Sequence, residues 1–254
     1  MKISFLFFLF GLIIGSFLNV CIYRIPRKIS IAFPPSFCPN CKKRIRPYDN
    51  IPVLSYLLLG GRCRYCRKRI SPIYPIVEFL TGITFYLLYL KLSLSFSLFI
   101  SLVYFSLLLL TAFLDWQEKA TYDLIIYLGV IFGFLFNLKN PIFSLIGILV
   151  GAFTIFLFRL LGFLWRKKEM MGTGDIFLGG MIGSLLGWQF TLLVIFLGAF
   201  FGVLISSILI ALKVWKRDSY IPFCSFLSLA TGLVFFFGDK ILDLYLNFFR
   251  FRAG

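Results

Sequence analysis

Apolar stretches long enough to cross a lipid bilayer, separated by short polar breaks, run the length of this 254-residue chain. Crossing ~30 Å of hydrocarbon takes roughly 20 mostly apolar residues as a helix, the single-segment form that satisfies its own backbone polar groups there. By that template the pattern predicts about eight spans, near 4–23, 73–90, 94–114, 124–138, 141–164, 175–188, 190–212 and 223–247. The fourth and sixth are short. The first is similar to a secretory signal, yet its apolar run is long, no small-x-small cleavage site follows, and basic residues flank its far end, so it is read as a true span.

Composition agrees with the pattern. Sixty per cent of the residues are apolar and 34 are Phe, far beyond what one globular core of this length buries, so a bilayer is the natural solvent. The predicted class is an all-α polytopic membrane protein of about eight transmembrane helices. Its parts are a first transmembrane helix at 1–23, a basic loop domain at 24–72 between helices 1 and 2, and a membrane-embedded remainder at 73–254.

A net charge of +16 changes the picture by its placement. If Arg24, Arg27 and Lys28 mark the cytoplasm, alternating spans put 24–72, 115–123, 165–174 and 213–222 on that side, and these segments hold 19 of the 26 Lys and Arg. The positive-inside rule then places the N-terminus outside and the large loop in the cytoplasm, resting on anionic lipid headgroups. A nucleic-acid partner is not expected, because beyond Tyr48 and Tyr65 no aromatic platform accompanies the charge.

Four of the six cysteines form two C-x-x-C pairs, Cys38 with Cys41 and Cys63 with Cys66. Each pair can turn both sulfurs toward one ion, and two pairs complete the closed tetrahedron that structural zinc prefers. A closed four-cysteine site leaves no position for water, so this metal organises the loop rather than catalyses. Nine Lys and Arg between 42 and 69 are expected to lower the thiol pKa values. Disulfides are disfavoured by the inferred cytoplasmic placement. Cys21 and Cys224 lie in or beside apolar spans and read as small hydrophobes.

Only ten acids occur, so each carries information. Asp49 and Asp218 sit among basic loop residues, Glu118 and Glu169 read as solvated, and Asp239 and Asp243 read as structural or solvated. Glu78 lies about one turn inside the second span, where an ionisable group needs a polar partner or a wet cavity. Asp115 closes the third span and Asp175, in M-G-T-G-D, opens the sixth, so alternating topology brings both to the same depth. Two facing carboxylates share one proton and serve as base and acid around a single water, chemistry that hydrolyses amides without a metal. Gly172 and Gly174 would let a substrate backbone approach. The plainer alternatives are an Asp115 bridge to Lys119 and a helix-capping role for Asp175.

These residues resemble the bacterial prepilin peptidases of type IV pili and type II secretion, a family of GxGD aspartic membrane proteases. The resemblance is carried by G-S-F-L-N-V-C-I-Y-R-I-P at 15–26, the two C-x-x-C pairs, S-P-I-Y-P-I-V-E at 71–78, the aspartates 115 and 123, G-T-G-D at 172–175 and I-P-F at 221–223. It implies that 73–254 is a membrane-embedded aspartic peptidase domain of the inner membrane. It also implies that Asp115 and Asp175 are a catalytic dyad cutting prepilins or pseudopilins at the cytoplasmic face, and that the new amino terminus is N-methylated from S-adenosylmethionine. Glu78 would then bond the freed amino terminus, steady the dyad, or pair with a loop cation in a packing role. No Rossmann-type glycine loop is present, so a donor site would be built from the loop and helix ends.

Two departures stand out. The family usually has Pro-Asp where this chain has Tyr122-Asp123, and Gly-Pro where it has Cys224-Ser225. Tyr-Asp with G-x-G-D is also similar to the presenilin group, which makes Asp123 the second choice for the dyad, although the Pro-Ala-Leu motif of that group does not occur. A transporter would instead hold Asp115 and Asp175 near mid-bilayer, and a scaffold would use the cysteine loop for docking alone.

Overall fold

The structure, a computed structural model, describes residues 2–167, 171–216 and 220–252. Among them all regular structure is helical, as the apolar runs predict. The α-helices are α1 (Lys2–Arg24), α2 (Leu54–Leu58), α3 (Ile73–Leu92), α4 (Phe96–Glu118), α5 (Asp123–Phe136), α6 (Pro141–Arg166), α7 (Thr173–Ala211) and α8 (Phe223–Arg252). Of these, α1, α3, α4, α6, α7 and α8 are long and apolar enough to cross a membrane, and the protein is multi-pass. Glu169 and Asp218 lie outside the described residues.

The sixth and seventh predicted spans both fall within α7, yet Gly187 breaks that element with φ 69 and ψ 178, a backbone region essentially reserved for glycine. The break is a reversal. A side chain placed on Gly151 of α6 would meet the Gly179 carbonyl oxygen at 2.2 Å and the Thr191 methyl at 3.0 Å, so positions 179 and 191 lie side by side. In an unbroken helix they would stand about 18 Å apart. Counting the two arms of α7 separately recovers eight apolar segments. The arm from Thr173 to Leu186 and the 14-residue α5 are the short ones, about 21 Å each against ~30 Å of hydrocarbon. A Cβ at Gly187 would also meet the Phe143 ring at 2.0 Å. Gly187→Ala is therefore expected to destabilise by about 2 kcal/mol or more, read as a lowered unfolding midpoint in detergent.

The chain divides into two compact units, Met1–Leu110 and Thr111–Gly254. In the first, α1 packs on α3 so closely that a side chain on Gly15 would strike the Glu78 backbone at 2.6 Å. Small residues at such a crossing let helices approach in lipid, where the hydrophobic effect gives them no reason to associate. In the second unit α7 packs against α5, α6 and α8. Gly198 and Gly202 lie against Leu227 and Phe226, and Phe190 against Gly238, so α8 runs antiparallel to the second arm of α7. That packing returns the start of α8 to the side from which α7 set out.

Candidate active site and metal centre

Three helix ends meet in the Thr111–Gly254 unit. Asp115 lies in the last turn of α4, Asp175 in the first turn of α7, and Cys224 and Ser225 begin α8. Asp115 and Asp175 are 1% and 2% exposed, which demands hydrogen-bond partners for both carboxylates. Consecutive residues supply them. The Cys224 thiol donates to Asp175 Oδ1 at 2.9 Å, and the Ser225 backbone N–H donates to Asp115 Oδ2 at 3.1 Å. Asp175 Oδ2 also accepts the Gly172 N–H at 2.9 Å, so the capping role and the shared site coexist in one side chain.

The two carboxylates have unequal surroundings. Asp175 receives one donor on each oxygen. The Ser225 hydroxyl lies 3.3 Å from Asp115 Oδ2, but its single proton has a shorter acceptor in the Ala112 carbonyl at 2.8 Å. With that proton committed, its oxygen is left to accept a bond from a protonated Asp115.

No ion pair joins Asp115 to Lys119 among the described residues; the Lys119 ammonium sits 5.8 Å over the Tyr220 ring. Burial pushes the Tyr220 phenol well up, and the charges of Asp115 and Asp175 push it further, which places this loop residue beside the pair. Trp116 packs edge-on to Phe226 and 5.7 Å from Trp215, an aromatic cluster of the kind that sits at a membrane interface. Asp123 is exposed at the start of α5 and makes none of these hydrogen bonds. Glu118, Asp239 and Asp243 are exposed as well.

The glycines before Asp175 differ in use. A Cβ on Gly172 would make only an ordinary contact, with Asp175 Oδ2 at 3.7 Å, whereas a Cβ on Gly174 would clash with the Thr121 hydroxyl. The missing side chain at Gly174 thus accommodates the protein's own loop, and only Gly172 leaves room for an incoming chain.

Cys224 and Ser225 are the residues that sequence reasoning missed. The change from the usual Gly-Pro is visible in the sequence, but the partners lie 49 and 110 residues away. Cys224→Ser, which keeps a donor, is expected to retain activity, whereas Cys224→Val, which removes one from a buried acid, is expected to lower turnover by about tenfold. Initial rates on a common substrate check this.

In the Met1–Leu110 unit, the four sulfurs of Cys38, Cys41, Cys63 and Cys66 lie within 4.8 Å of one another. Two copies of one knuckle bring them there. Cys38 N–H bonds the Lys43 carbonyl as Cys63 N–H bonds that of Lys68, and Phe37 bridges Arg44 as Arg62 bridges Arg69. Lys42 and Arg67 take the same left-handed backbone, φ 59 and 58. All six cysteines are free. Cys38 and Cys66 sulfurs are 3.9 Å apart, close to the ~3.8 Å edge of a tetrahedron with metal–sulfur bonds of ~2.3 Å. The donor set and its spacing fit a metal ion.

The expected lowering of the thiols by loop cations is not what the knuckles show. Burial pushes Cys38 up to about 11, and the backbone N–H groups of Cys66 and Tyr65 draw Cys63 down to about 7. The cations have other work. Arg64 makes a two-pronged bond to Asp49, 2.8 and 2.6 Å, and holds that carboxyl below its usual range. Arg24, 3% exposed, donates to the carbonyls of Ser30, Ile31, Pro34 and Pro35. Glu78 is not paired with a loop cation among the described residues; it accepts the Val53 N–H at 2.7 Å.

Known proteins can now be set beside these two sites. Residues 9–92 match the Bacterial Peptidase A24 N-terminal domain, and residues 102–207 match the Type IV leader peptidase family. The chain belongs to that family. It is 30% identical to a prepilin leader peptidase/N-methyltransferase of Pseudomonas aeruginosa, covering 96% of this chain and 93% of that protein. A Bacillus subtilis protein of the same name is 31% identical, covering 94% and 96%. A third, from Klebsiella pneumoniae, is 40% identical over 73% of this chain and 86% of its own length. No solved structure matches the chain.

Proposed function

We propose that this protein is an aspartic endopeptidase of the inner membrane that removes the leader from type IV prepilins or type II secretion pseudopilins, and that it N-methylates the new amino terminus. The observation that carries the peptidase reading is that two consecutive residues, Cys224 and Ser225, hold Asp175 and Asp115, drawing two buried carboxylates from separate helices onto one turn. Asp175, with a donor on each oxygen, is suited to carry the charge and draw a proton from water. Asp115 is suited to donate a proton toward the scissile carbonyl. No covalent intermediate is needed.

The site lies at helix ends beside a Trp cluster, which suits a substrate whose polar leader stays in the cytoplasm while its apolar helix remains in lipid. The same placement argues against a transporter, whose carboxylates would sit near mid-bilayer. Asp123, exposed and outside these hydrogen bonds, is given no part in the proposed chemistry. The N-terminus is outside and the knuckle loop cytoplasmic, as the distribution of Lys and Arg supports. Zinc in the four-cysteine site would fix that loop. The names of the relatives support methyl transfer, for which S-adenosylmethionine would supply the methyl group.

The test is direct. Purified protein in detergent is mixed with a prepilin, and cleavage is followed for wild type, Asp115→Asn and Asp175→Asn. Normal cleavage by either variant refutes the dyad, and transport of protons or solutes in vesicles without cleavage by wild type would favour the transporter.

A further inference from the structure

The Met1–Leu110 unit contains a cavity of about 340 Å³, within the usual range for small-molecule sites, between α1, the two knuckles and the start of α3. Tyr23, Tyr56, Tyr65 and Tyr74 supply aromatic faces, and Asn19 and Glu78 supply polar groups. Two carboxylates line it, Asp49 and Glu78. Asp49 is already neutralised by Arg64. Glu78 is 8% exposed, and its bond from the Val53 N–H and its neighbours Ser16 and Asn19 bring hydrogen-bond donors but no positive charge. A carboxylate this deep, lacking a cation, is costly unless something positive reaches it.

We propose that this cavity seats the methyl donor, an adenosyl sulfonium amino acid, and that Glu78 recognises its positive sulfur. The inference rests on the reading that the chain methylates as well as cleaves. The chemistry of the lining fits each part of such a molecule. Tyrosine rings suit a purine, and the Asn19 side-chain oxygen, left over once its Nδ2 donates to the Tyr74 carbonyl at 2.9 Å, suits a ribose hydroxyl. Lys68 and Arg69, also in the lining, suit the carboxylate of the amino-acid portion. The donor supplies an electrophilic methyl group: the substrate nitrogen forms the new N–C bond, the C–S bond breaks, and its electron pair leaves on sulfur as a neutral thioether. The amine reacts as the free base, its proton having gone to solvent, so Glu78 keeps its charge throughout.

Val53 adds a mechanical detail. This β-branched residue holds φ at 59, a left-handed conformation that is strained for a side chain branched at Cβ. Its N–H bond to Glu78 fixes the carboxylate toward the cavity while offsetting part of that strain.

The experiment is equilibrium dialysis of the full-length protein in detergent with S-adenosylmethionine and, separately, with its demethylated thioether S-adenosylhomocysteine. Glu78→Gln preserves size and an acceptor for Val53 but removes the charge. It is expected to weaken binding of the sulfonium by about tenfold or more while leaving the thioether's binding unchanged, which also shows that the variant is folded. Equal weakening of both ligands, or of neither, overturns the role of Glu78. Photo-crosslinking wild type with an azido-adenosyl analogue is expected to label peptides within residues 16–78, and labelling confined to 111–254 overturns the site. Failure of wild type to cleave prepilin would refute the peptidase reading while leaving this binding result to stand on its own.

Discussion

Asp115→Asn and Asp175→Asn are each expected to lower prepilin cleavage by about 10³-fold or more, since each would remove one half of the proposed general acid–base pair. Both variants should stay folded. Asparagine is the same size and keeps a carbonyl oxygen to accept the Ser225 N–H at position 115, or the Gly172 N–H or Cys224 thiol at position 175. The loss is therefore of proton transfer, not of packing, and an unchanged unfolding midpoint separates the two. Combining the substitutions should cost little more than either alone, because groups that act as a unit are not additive. Asp123→Asn gives the discriminating comparison. It stands exposed at the start of α5, so cleavage should survive its substitution; abolished cleavage there with normal cleavage by Asp115→Asn would reverse the assignment.

Loss of a metal from the four-cysteine site is the second large expected effect. The two knuckles are short, with one isolated bridge each, and little apolar surface is buried around them apart from Cys38 and Cys63 themselves. Structural zinc in comparable small modules is worth on the order of 10 kcal/mol of folding free energy, more than such turns supply alone. Cys38→Ser with Cys63→Ser is expected to lose stoichiometric metal and to open the 36–70 loop to proteases, measured by metal analysis and limited proteolysis. A double variant that keeps its metal would refute the site. Acid should do the same reversibly. The metal binds thiolates, and protons compete for them. With Cys63 drawn down to about 7 and Cys38 pushed up to about 11 in the metal-free knuckles, affinity should rise with pH across neutrality and fall as pH drops below 7.

Much of this architecture was legible in the order of the residues. Apolar runs located the long helices and the two short ones, though not the five-residue α2 inside the loop, because a segment facing lipid must be apolar along its length. Gly187 shows how close that reading comes: the polar break expected between the apolar runs 175–188 and 190–212 falls within two residues of the reversal. The C-x-x-C spacing announced the cluster of four sulfurs, because a shared ligand point needs them to converge. What stayed hidden was whatever depends on partners distant in the chain. Arg24 reads in sequence as a marker of membrane sidedness, and only the fold reveals that its guanidinium gathers the carbonyls of residues 30–35. Glu78 was singled out as an acid in an apolar span, but its bond to Val53 joins two segments whose sequences carry no sign of each other. Cys224 looked like filler for the same reason.

The turn that opens α8 has a consequence for the order in which the enzyme is made. The two acids come off the ribosome first, on α4 and α7, and neither acquires its bridging donor until Cys224 and Ser225 have been synthesised and α8 has entered the bilayer. On the proposed dyad, a nascent chain is thus without a complete cutting centre while its own hydrophobic segments are still being threaded, and proteolytic competence would arrive only with the helix that closes the assembly.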